Sequence, residues 1–271
     1  MACVDLPGDR TGRGGHSPAQ GASYELWRFC SASARLYEFT ASGRKEVELA
    51  EPVEIETAEE VQRALRDWGL GAARPVIVLV GGAGSLNEET KALRPMFDDG
   101  IATAAQETGA AVVDGGTDAG VMRLMGQARN KRKASFPLIG VAAIGTLRGA
   151  DSPGLEPNHT HQLLVPGDHW GDESSWLSVA ARELSQGRES VTVLVNGGVT
   201  SRKDVAQSVA ANRPVVVVGE TGRLANELAN SPDPALSYVD PMSSEDGGRF
   251  VIIPDPEDPL LIAKRLIRML R

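Results

Sequence analysis

The chain has 271 residues, 41% hydrophobic and 24% charged, with a net charge of −8, which fits one large or two small soluble globular domains. The acidic balance excludes a general nucleic-acid binder, which carries a basic face. No apolar run is long enough to cross a membrane, and the two cysteines, Cys3 and Cys30, stand in no metal-ligand spacing and read as free thiols.

Residues 1–20 are Gly, Pro and polar residues without periodicity, which predicts a disordered tail. The start lacks the basic-then-apolar profile of a signal peptide, so a cytoplasmic location is expected. Residues 23–29 and 35–40 predict short strands. Thr57-Ala58-Glu59-Glu60 has the form of a capping box, and Val61, Ala64, Leu65 and Trp68 recur at helical spacing up to Gly69. Residues 75–80 (PVIVLV) are a continuous β-branched run, the mark of a buried parallel strand. A helix over 88–108 is divided or kinked by Pro95. Further strands are predicted over 110–113, 136–144, 161–165, 190–195, 214–218 and 250–253. Helices are predicted to about 132 after the second strand, then over 173–187, 201–211, up to 230, and over 258–270.

Strands alternating with helices predict an α/β fold: a Rossmann-like, doubly wound, mostly parallel sheet with helices on both faces. The expected organisation is a tail (1–20), N-terminal strands and a helix packed on the main domain (21–73), and a nucleotide-binding domain (74–271).

Four buried strands end in glycine-rich turns, each before a helix. The first holds Gly81, Gly82, Ala83, Gly84 and Ser85. The second holds Gly115, Gly116, Thr117, Gly120 and Val121. The third holds Asn196, Gly197, Gly198, Thr200 and Ser201, and the fourth Gly219 and Glu220. Ligands of doubly wound sheets bind at the carboxyl ends of the strands. Unpaired N–H groups and the helix dipole at each turn suit a phosphate. The spacing matches neither the dehydrogenase nor the P-loop fingerprint, so hydride transfer and NTP hydrolysis are not first expectations.

Three segments, Gly81-Gly82-Ala83, the run from Asp114 to Met122, and Asn158-His159-Thr160-His161 with Leu163 to Val165, together resemble the SLOG superfamily. The resemblance is to its LSDAT branch, which includes the N-terminal cytoplasmic region of melastatin-type TRP channels, over roughly residues 22–230. It implies a Rossmann-like fold that binds nucleotide-derived ligands, with ADP-ribose-type molecules bound in channels and bacterial defence systems. The related Lonely-Guy phosphoribohydrolases instead cleave the N-glycosidic bond of nucleoside monophosphates. Their turn reads P-G-G-x-G-T-x-x-E, with an Arg-Lys pair upstream. Here Asn196 to Asp204 stands in that place, Lys203 falls where an acid is looked for, no clear Arg-Lys pair precedes it, and Asp204 reads as shorter and displaced by one residue. Such cleavage wants a carboxylate near the ribose.

Single residues carry open alternatives. Asp114 takes a ribose hydroxyl or bonds its own turn. His159 hydrogen-bonds the loop lining the site, while His161 reaches the ligand. Arg202 and Lys203, cations at a helix start, meet a ligand phosphate or solvent. Trp170 stacks a base or packs under its loop. No zinc set is evident. The sequence therefore predicts a cytoplasmic sensor of ADP-ribose or a related NAD metabolite, without cofactor or metal and with no catalytic residue. The alternative is a phosphoribohydrolase in which Asp204 is catalytic. Further partners would be a second copy of the chain or an effector protein, and a weaker reading is a vestigial pocket serving assembly.

Overall fold

The computed structural model describes residues 51–82, 92–148, 151–230 and 250–271, with the backbone alone of 35–40 and 43–48. The predicted tail, the strand over 23–29, the start of the 88–108 helix, and Ala83, Gly84 and Ser85 lie outside the described residues.

Strands β1 (Arg35–Thr40) and β2 (Gly43–Glu48) pair antiparallel, Arg35 opposite Glu48. The second was not predicted, because GRKEVE lacks a clean apolar alternation. Among the described residues, eight strands make the main sheet: β3 (Val53–Glu54), β4 (Val76–Gly81), β5 (Ala111–Asp114), β6 (Leu138–Ala143), β7 (His161–Val165), β8 (Ser190–Val195), β9 (Val215–Val218) and β10 (Phe250–Ile253). Their order is β10-β9-β8-β4-β5-β6-β7-β3, and every pairing is parallel.

The parallel sheet is buried on both faces, and side chains alternate between them. Val76, Val78 and Val80 face one core, with α1 (Ala58–Asp67), α4 (Ser174–Ser185), α5 (Val199–Ala210) and α6 (Arg223–Asn230). Ile77 and Leu79 face the other, with α2 (Ala102–Thr108), α3 (Gly120–Arg132) and α7 (Pro259–Met269). The capping box of α1 forms: Glu60 N–H donates to Thr57 Oγ1 at 3.3 Å and Thr57 N–H to Glu60 Oε2 at 3.0 Å. After Pro95 the chain runs as a π-helical stretch, Met96–Ile101, before α2. Proline lacks an N–H, and the wider turn accommodates that interruption.

The strand order reverses beside β4. The chain builds β4, β5, β6 and β7 outward on one side, then returns to place β8 on the other. Helix α3, after β5, and helix α5, after β8, lie on opposite faces. A crevice opens at such a switch, outside the carboxyl ends of the strands.

Candidate functional site

The first and third turns meet at this switch. A Cβ on Gly81 would stand 2.7 Å from Val121 Cγ1 and collide with the Val195 carbonyl, so only glycine lets β4 end against β8 and α3. The Gly82 carbonyl accepts the Val121 N–H at 3.2 Å. Asn196, in the left-handed region with φ 59°, donates its N–H to Thr221 Oγ1 at 2.8 Å, and its carbonyl accepts the Ala225 N–H at 2.9 Å. These bonds tie the end of β8 to α6. Gly198 caps α5, and its N–H donates to Ser201 Oγ at 3.3 Å.

A cavity of about 260 Å³ lies above this junction, lined by Gly81, Gly82, Gly115, Thr117, Gly198, Thr200 and Ser201 among the predicted residues. Asp204 lines it too, one turn beyond Thr200 and Ser201 on the same face of α5. The displacement read from the sequence does not hold. Counted from Asn196, Asp204 is the ninth residue, the place of the glutamate in P-G-G-x-G-T-x-x-E. Burial pushes its carboxyl up to about 7; Ser174 and Lys203 work against that, and Glu173 adds to it. Asp204 Oδ1 and Thr117 Oγ1 are buried without a hydrogen-bond partner in the protein, which is uncommon for buried polar atoms.

Other predicted residues stand behind the cavity or away from it. Gly116, Gly120, Val121, Asn196 and Gly197 shape the turns without lining the cavity. Gly219 donates its N–H to the Ile253 carbonyl at 2.8 Å, and Glu220 is exposed, so the fourth turn serves the β9–β10 edge. His161 is the clear correction. It begins β7, at the opposite end of that strand from the turns, and its ring lies 4.6 Å from that of Trp68. Strand periodicity placed it on the same face as His159, but the first residue of a parallel strand lies away from the carboxyl edge where ligands bind.

Three lining residues, Glu173, Leu177 and Arg223, were not expected there. Trp170 is 44% exposed on the cavity wall, not packed under its loop. Glu173 is buried, its Oε2 accepts the Gly171 N–H at 2.8 Å, and burial raises its pKa against the effect of its backbone hydrogen bonds. Arg223 starts α6 with φ 41°, strained for a side-chain-bearing residue. That left-handed start, just after Gly222, was hidden because the turn read as ending at Gly222. Arg202, one of the two cations at the α5 start, pairs with Glu227 Oε2 at 2.8 Å on the surface.

Behind the second turn sits a buried charged cluster. His159 Nε2 is 2.7 Å from Asp114 Oδ1, and Nδ1 is 2.9 Å from Glu156 Oε2. Burial alone would lower the imidazole pKa; Asp114 and Glu156 outweigh it and raise it to about 9. Both ring nitrogens therefore donate. Asp114 Oδ1 also accepts the Gly116 N–H at 2.8 Å, and the Gly116 carbonyl accepts the Glu156 N–H at 2.9 Å. Of the two readings of Asp114, the geometry realises the bond to its own turn.

A family model described as "SLOG in TRPM, prokaryote" matches residues 74–255. The chain is 26% identical over 210 residues to transient receptor potential cation channel subfamily M member 2 of Mus musculus, a match covering 62% of this chain and 14% of the channel. It is 25% identical over 237 residues to the subfamily M member-like 2 protein of Nematostella vectensis, covering 71% of this chain and 15% of that protein. The chain thus spans a small part of these relatives' length. Among solved structures it is similar to the X-ray structure of TM1055, with a TM-score of 0.50 and 18% identity, covering 70% of this chain and 99% of that one. That likeness speaks to the fold.

Proposed function

The chain belongs to the prokaryotic branch of the SLOG domains found in TRPM proteins, and from that premise we propose that it senses a nucleotide-derived molecule, such as ADP-ribose or a related NAD metabolite, bound at the carboxyl ends of the strands and released unchanged. The observation that carries this reading is the cavity at the strand-order switch, with the bare buried acceptors Thr117 Oγ1 and Asp204 Oδ1 beside the start of α5 and Arg223. Helix N–H groups and arginine suit a phosphate, and an acid at this edge suits ribose hydroxyls. ADP-ribose, NAD, AMP and cyclic ADP-ribose are the ligands to try by thermal shift and calorimetry. One of them at a hundredfold excess over its Kd is expected to stabilise the fold by about 2.7 kcal/mol, a rise of roughly 5–10 °C in Tm. No stabilisation by any of them would overturn the reading.

One feature favours a second reading, a phosphoribohydrolase: Asp204 and Glu173 lie together in the cavity. In that reaction water adds to the ribose C1′, the C1′–N bond breaks, and the base leaves with a proton. A carboxyl held near 7 can exchange protons at neutral pH. The expected result for an enzyme is ribose 5-phosphate release from AMP that falls at least about a hundredfold in Asp204→Asn. Absence of release at high protein concentration ends this reading and leaves the sensor.

A further inference from the structure

Asp204 stands beside the start of α5, where an anion is favoured. Helix α5 opens after Gly198, and Thr200, Ser201, Asp204 and Arg223 line one cavity. A Cβ on Gly198 would lie 3.8 Å from Arg223 Nη1. The guanidinium thus stands at the N–H groups of the first turn, and the two together suit a phosphate. Helical side chains tilt toward the N-terminus and cover the turn before their own Cα. The Asp204 carboxyl therefore covers the turn of Thr200 and Ser201. In dinucleotide folds the acid that takes a ribose diol stands about 20 residues beyond the glycine turn. Asp204 stands on the helix that its turn opens.

The surroundings resist a negative charge on this carboxyl. It is 9% exposed, and Oδ1 has no hydrogen-bond partner among the described residues. An ionised oxygen so placed loses hydration without replacement. Glu173, buried on the same wall, opposes a second negative charge. Lys203 and Ser174 favour the charged form, but Lys203 is exposed to solvent. Other charges nearby are engaged elsewhere. Arg202 pairs with Glu227, Arg182 with Glu183 on α4, and Asp172 accepts the N–H groups of Asp168 and His169. Strands β4, β8 and β9, which pack against α5, carry no titratable side chain. The balance holds the carboxyl at about 7, half protonated at neutral pH.

Resting on the nucleotide reading above, we propose that Asp204 meets the ligand's phosphate as a neutral acid, its carboxyl O–H donating to a phosphate oxygen, so that binding takes up a proton from the buffer. An ionised Asp204 would repel the phosphate, so the bound anion favours the protonated form. Affinity therefore falls as pH rises through neutrality, and the site reads pH together with its ligand.

Calorimetry with ADP-ribose tests this, because its diphosphate stays ionised across the range. Titrations of the full chain at pH 8, in two buffers of different ionisation enthalpy, are expected to show uptake of at least about half a proton per ligand. At pH 6 the carboxyl already holds its proton, and uptake close to zero is expected. The Kd is expected to rise about tenfold from pH 6 to pH 8. Asp204→Asn carries an N–H donor at every pH. Its proton uptake is expected to vanish, and at pH 8 it is expected to bind about fivefold more tightly than the unaltered chain. Proton release, or weaker binding by Asp204→Asn at pH 8, marks an ionised acceptor of ribose hydroxyls and overturns the proposal. Binding without proton exchange overturns it as well, and each of these results leaves the nucleotide reading standing. Uptake retained in Asp204→Asn overturns the assignment to Asp204. Binding of none of ADP-ribose, NAD, AMP and cyclic ADP-ribose overturns the nucleotide reading and this proposal with it.

Discussion

Replacing His159 with leucine is expected to cost about 3–5 kcal/mol of unfolding free energy, seen in thermal melts as a Tm roughly 10 °C lower. The imidazolium bridges Asp114 and Glu156, all three side chains being at most 1% exposed. Leucine would fill the space but leave two buried carboxylates facing each other without a cation. Adding Asp114→Asn to the leucine variant should recover part of the loss, since it removes one of the stranded charges. A loss under 1 kcal/mol for His159→Leu would mean the cluster does not hold the turn.

The same group sets a pH signature. His159 is raised to about 9 in the fold by Asp114 and Glu156, against an ordinary imidazole value of 6.5. The folded state thus binds an extra proton between these values. Its stabilisation is fully present below about pH 6.5 and is lost as pH rises through about 9, on the order of 3 kcal/mol in all. Asp204, raised to about 7 from 3.8, also makes stability fall with rising pH, but in a window that closes near 7. Asp204 is still half protonated at pH 7, so urea titrations between pH 8 and 9 isolate the histidine. The slope there should be present in the unaltered chain and absent in His159→Leu.

Gly140→Ala is the second large effect, an expected loss of about 3 kcal/mol with at least about a tenfold loss of affinity for whichever nucleotide binds. A Cβ at Gly140 would lie 2.5 Å from Gly116 Cα and would also collide with Gln162 Oε1. Gly116 has little freedom to retreat. It has φ 66°, its N–H is held by Asp114, and its carbonyl accepts from Glu156 N–H and from Gln162 Nε2 at 3.1 Å. The strain must then move the turn that carries Gly115 and Thr117 into the cavity wall. Gly109→Ala serves as a comparison. A Cβ there meets nothing within 4 Å, so its cost comes from the left-handed backbone alone, about 1 kcal/mol, with affinity unchanged. Equal losses in the two variants would remove the steric argument.

Much of the framework was legible in the chain. The β-branched runs from Val76, Val191 and Val215 marked buried parallel strands because a strand covered on both faces needs no polar alternation. Thr57 and Glu60 announced the start of α1 because capping is a contact between residues three apart. Gly140, inside an otherwise apolar strand, was a signal that went unused: a glycine there marks a close backbone approach. The interrupted helix after Pro95 was readable as a break, though not as a π-helical one, since several backbone geometries absorb a missing N–H.

What the sequence determined by itself is therefore everything set by near neighbours: the alternation of strand and helix, the glycine turns that follow the strands, the caps, and the run of motifs that marks the family. Only the tertiary structure decided which turns share a crevice. The order β10-β9-β8-β4-β5-β6-β7-β3 puts the ends of β4 and β8 side by side, and that order depends on how helices cover two faces at once, which no local period encodes. For the same reason His161 lies at the far end of its strand beside Trp68. Glu173, Asp204, Trp170 and Arg223, drawn from separate segments, meet in one cavity only after the sheet has formed. The glycine turns could be read as places for a phosphate. The meeting of acidic and cationic side chains in one cavity arises from segments distant along the chain being folded into proximity.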